Sequence, residues 1–62
     1  MPIIEVKAFA HRFDDRDAAQ RLIAELTKAF GSVYGEDAAR ETEVILHGIS
    51  PALWGFGGKT RA

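Results

Sequence analysis

Apolar and polar residues alternate at the start of the chain: Ile4, Val6 and Ala8 fall on one side of an extended backbone, Ile3, Glu5, Lys7 and Phe9 on the other. Period two is the pattern of a half-covered strand, and it predicts one over residues 2–9. Pro2 lacks an N–H donor and is tolerated at a strand's first position. The period then changes. Ala19, Leu22, Ile23, Leu26, Phe30 and Val33 recur at helical spacing and predict a helix from 15 to about 34 with these residues as its buried stripe. Asp14 or Asp15 caps its start, and Asp17 adds negative charge in the first turn. Arg21, Glu25 and Lys28 occupy the other side, where Arg21 with Glu25 and Glu25 with Lys28 are spaced to pair. Gly35 reads as the stop, and Gly31 weakens the last turn enough to favour an earlier end. Alternation returns over 41–49, with Thr42, Val44 and Leu46 against Glu43, Ile45 and His47, and predicts a second strand.

A long helix between two strands suits a right-handed crossover joining parallel strands. The expected fold class is α+β: a single domain over residues 1–62, built as a βαβ subunit with two parallel strands and one long helix. After Ser50 and Pro51 the tail reads Trp54-Gly55-Phe56-Gly57-Gly58, which predicts a short C-terminal hairpin that docks on a neighbouring subunit. Size sharpens this picture. A 62-residue chain buries only about 60% of the surface its unfolded form exposes and usually needs a staple. Cysteine is absent, so the staple is no disulfide. His11 and His47 are the only nitrogen ligands, with no thiolate beside them, so no metal site is expected. Oligomerisation remains. A two-stranded sheet is too narrow to stand alone, whereas a dimer would give four strands with two helices on one face. The 47% hydrophobic content suffices for a core and an apolar interface.

The net charge of -1 argues against a nucleic-acid partner, which would need a basic patch. The chain has neither a polybasic run nor a long apolar run, so no membrane role is expected. Glu5 and Lys7 interrupt the first ten residues where a secretory signal would be apolar, and a cytoplasmic location is the expectation.

Pro2-Ile3-Ile4-Glu5-Val6 directly after Met1, a βαβ unit of this length and the Trp54-Gly55-Phe56-Gly57-Gly58 tail together resemble the 4-oxalocrotonate tautomerase family across nearly the whole chain. The resemblance implies a tautomerase (MIF-like) fold, a homo-hexamer built as a trimer of dimers, no cofactor, and small anionic enols or 2-oxo acids as substrates. It implies that Pro2, made N-terminal by removal of Met1, is the general base. The chemistry is sound: a secondary amine in a water-poor pocket near cations loses its proton more readily and can shuttle one at neutral pH.

The resemblance also places a substrate-binding arginine at Arg12, although the loop to the helix looks longer than the family's, so Arg16 is the alternative. It places a pocket-lining aromatic at Trp54. One position departs from the family: Glu43 stands where a second arginine is expected, and a carboxylate there repels an acidic substrate or acts as an acid or base itself. Arg40 and Arg61 are the nearby cations that could replace it. Three functional classes follow: a proline-based tautomerase, a non-catalytic structural subunit of a hetero-oligomer, and a hydratase or dehalogenase working with a protonated Pro2. His11 and His47 sit in no triad, and His47 reads as a partly buried structural histidine. Gly57-Gly58-Lys59-Thr60 lacks the leading glycine and following helix of a phosphate loop.

Overall fold

The computed structural model describes Met1–Ala62. Strand β1 runs Ile3–Phe9, a 3-10 turn follows at Ala10–Phe13, and helix α1 spans Arg16–Tyr34. A short helix α2 occupies Glu36–Glu41 before strand β2 at Glu43–Ile49; a second 3-10 turn, Pro51–Leu53, leads to the hairpin β3 (Gly55–Phe56) and β4 (Lys59–Thr60). Strands β1 and β2 are parallel, with Ile3 opposite Glu43, Val6 opposite Leu46 and Phe9 opposite Ile49. The fold is α+β, with the expected βαβ unit and terminal hairpin.

Parity along the strands decides which side chains meet the helix. Ile4, Val6, Ala8, Val44 and Leu46 are half-covered, whereas Ile3, Glu5, Lys7, Glu43 and Ile45 on the other face are exposed. Asp15, not Asp14, is the helix cap: its carboxylate accepts from the backbone N–H groups of Asp17 at 3.0 Å and Ala18 at 3.3 Å. Gly35, at φ 97°, terminates α1.

Four expectations need correction. The helix does not end early at Gly31. A Cβ placed on Gly31 would lie 2.8 Å from the Cβ of Ala39, so the glycine is where α2 packs closely onto α1 rather than where α1 stops. The second strand starts at Glu43 because residues 36–41 form α2, with Glu36 and Asp37 in its first turn and Arg40 in its last, the charge order a helix dipole favours. The stripe is narrower than its spacing suggested. Ala19 is the one buried residue of the chain; Leu22, Leu26 and Phe30 are half-buried, but Ile23 is exposed and Val33 is 72% exposed. A sheet of two strands cannot reach the flank carrying Ile23. Beyond Phe30 the helix, about 28 Å long, outruns strands of about 23 Å. Nor do Arg21, Glu25 and Lys28 pair. The ion pairs of the chain are Arg40–Asp37 and His47–Glu5. Exposed helix charges gain too little from pairing to offset side-chain entropy.

The hairpin turns through Gly57 (φ 61°) and Gly58 (φ 86°), the two successive positive-φ positions of a tight two-residue turn. Its base is tied by the Arg61 N–H donating to the Trp54 carbonyl at 2.8 Å.

Candidate functional site

Pro2 opens the ladder. Its carbonyl accepts the N–H of Glu43 at 2.9 Å, so the first rung of the sheet joins these two residues. Pro2 is half-buried at the end where both strands begin. Arg12 lies in the 3-10 turn past the other end of β1. The seven residues of β1 separate them by about 23 Å at strand rise. Trp54 is also at the far end, where its ring meets Phe9, the last residue of β1, edge-on at 4.7 Å between centroids. Within one chain, therefore, Arg12 and Trp54 lie toward the same end of the sheet and Pro2 lies at the opposite one.

Arg12 borders a cleft of about 310 Å³ that is otherwise apolar, formed where Val6 and Ala8 of β1 face Ala19 and Leu22 of α1, with Phe13 beside them. Neighbouring cations take no part in it. Arg16 is the exposed first residue of α1 and does not line the cleft. Arg40 is held by Asp37 within α2. Arg61 stacks over the Phe56 ring, 5.3 Å from its centroid. A guanidinium at the rim of an apolar cleft suits a small carboxylate, because the planar fork donates to both oxygens and the walls are apolar.

His47 is half-exposed on the helix-free face, and its Nε2 lies 2.8 Å from the Glu5 carboxylate. His11 stacks loosely on Phe9, with centroids 6.2 Å apart. No group of three or more His, Cys, Asp or Glu side chains is arranged to hold a metal ion. No helix is long and apolar enough to cross a membrane.

The residue that sequence reasoning missed is Phe9. The strand pattern marks it only as one residue of a face, yet the Trp54 ring packs edge-on against it and the His11 ring stacks loosely over it. Its place as the last apolar residue before the turn carrying Arg12 was the available signal.

A model of the family described as tautomerase enzyme matches residues 2–61. The chain belongs to the tautomerase family. The match begins at Pro2 and runs through the hairpin, so it takes in Pro2, Arg12 and Trp54 alike. No curated protein and no solved structure matches this tautomerase chain.

Proposed function

We propose that the protein is a cofactor-independent keto–enol tautomerase of the 4-oxalocrotonate type, with Pro2 as its proton shuttle. The observation that carries this reading is the family match beginning at Pro2, the residue that removal of Met1 would leave with a free secondary amine. The amine lone pair takes the hydroxyl proton of a small enol carboxylate. Electrons from that O–H bond form the carbonyl, and the enol double bond takes a proton from the ammonium at carbon. No net charge or atom is lost. Arg12 holds the substrate carboxylate, and Trp54 with Phe9 supplies an apolar wall that keeps water from the amine.

Because Pro2 and Arg12 lie at opposite ends of one chain, this chemistry requires a second copy to bring its Arg12 end to the first copy's Pro2. The chain's shape supports such an assembly. Its radius of gyration is 14.2 Å, against about 10.6 Å for a compact chain of this length. Its accessible surface is 4957 Å², against about 4,000 Å² for a folded monomer of this mass. A trimer of dimers is the assembly we infer.

The test is activity of Met1-free protein on enols of 2-oxo acids. Pro2→Ala should lower kcat/KM by on the order of 10²-fold or more. Arg12→Gln should act mainly through KM, while Arg16→Gln should leave both parameters near wild type. Full activity in Pro2→Ala would overturn the mechanism.

A further inference from the structure

The end of the sheet that carries Pro2 is anionic. Glu43 donates its N–H to the Pro2 carbonyl and sits opposite Ile3, so its side chain starts about one strand spacing, 4.8 Å, from the first residues of β1. Glu43 is exposed, on the same helix-free face as Glu5. Glu41 closes α2 two residues before it. Cations that could offset these charges are engaged or distant. Arg40 is bound to Asp37. Lys7 stands four rungs further along, opposite His47, whose ring is bound to Glu5. From α1, the helix packed against this end through α2, the titratable groups of the last two turns are Lys28 and Tyr34, both exposed.

We propose that Glu43 is a specificity-determining residue: it makes the Pro2 site select monocarboxylate over dicarboxylate enols and moves the working range of the Pro2 base to higher pH. The proposal rests on the reading of Pro2 as the proton-shuttling amine. Both effects have one cause. A carboxylate on the strand neighbouring an amine stabilises the ammonium, so the amine keeps its proton to higher pH. The same charge repels a second carboxylate on the substrate, at the end of the site remote from the arginine that holds the first. A substrate with one carboxylate places it on Arg12 and presents a neutral carbon to Pro2. One with two must bring an anion beside Glu43.

Two measurements on Met1-free protein test this. Titration of the Pro2 nitrogen by NMR reads the electrostatic effect without any turnover. Glu43→Gln should lower its midpoint by roughly half a unit to one unit, since the pairing is solvent-exposed. Kinetics with the enols of phenylpyruvate and of oxaloacetate read the selectivity. Wild type should prefer the monocarboxylate, Glu43→Gln should raise the relative kcat/KM for oxaloacetate enol at least about fivefold, and Glu43→Asp should keep the wild-type order. An unchanged midpoint in Glu43→Gln, or an unchanged substrate ratio, overturns the proposal. Activity that survives Pro2→Ala instead overturns the shuttle on which it rests, and the nitrogen titration still reports on Glu43 in that event.

Discussion

At the residue scale, side-chain geometry separates neighbours of the same chemical type. Asp14 and Asp15 are equal candidates for the helix cap by composition, and only Asp15 has the extended backbone (φ -80°, ψ 107°) that turns its carboxylate back onto the free N–H groups of the first turn. Asp15→Ala should therefore destabilise the folded protein by about 1 kcal/mol, and Asp14→Ala by much less. Urea unfolding at one fixed protein concentration measures both, and equal losses would mean that the cap is shared. The arginines follow the same logic. Arg12 and Arg16 differ by one helical turn in sequence, but Arg12 belongs to the 3-10 turn bordering the cleft and Arg16 to the exposed start of α1. The sequence pattern narrowed the choice to these two. It could not close it, because where a loop side chain lands depends on the turn that the loop adopts.

Strand and helix periods were the most legible features at the scale of elements. Both long strands and α1 lie where alternation and the helical stripe put them, within about two residues at each end. The missing element was α2. Six residues carry too few apolar positions to declare a period, and its evidence lay in charge order and in a glycine whose partner is distant in sequence. Gly31 was legible only as a weak helix former. Its function depends on Ala39, eight residues on, which no local rule connects to it. The consequence is testable because the two effects have opposite signs. Gly31→Ala gains up to about 1 kcal/mol of helix propensity. It also drives a methyl to 2.8 Å from the Ala39 methyl, and overpacking of that kind costs about 1–3 kcal/mol. The net expectation is a loss of stability, seen as a lower thermal midpoint. Adding Ala39→Gly should recover most of it, and a coupling near zero between the two changes would place the contact elsewhere. Val33 makes the complementary point: its spacing is that of a core residue, but the sheet it would cover has ended.

On the scale of the whole molecule, the order of elements puts Pro2 and Arg12, the two residues proposed for the chemistry, at opposite ends of a strand, and this has a consequence that substitution of single residues cannot reveal. Below saturating substrate, Pro2→Ala and Arg12→Ala should each be strongly impaired alone, the first in turnover and the second in substrate binding, whether the site is built within one chain or between two. Mixing the variants after unfolding and joint refolding distinguishes these cases. If Pro2 and Arg12 of one site come from different copies, an equimolar mixture places an intact Pro2 beside an intact Arg12 at random, and about a quarter of the sites regain both groups, with about a quarter of the wild-type rate. If one copy supplied both, no site in the mixture would hold the pair and the rate would stay at that of the single variants. The strand between Pro2 and Arg12, with a rise of about 23 Å against a substrate-sized gap of a few ångströms, favours recovery. Recovered activity should also fall on dilution, because a chain with Ala19 as its one buried residue leaves most of its apolar surface to be covered by the proposed assembly.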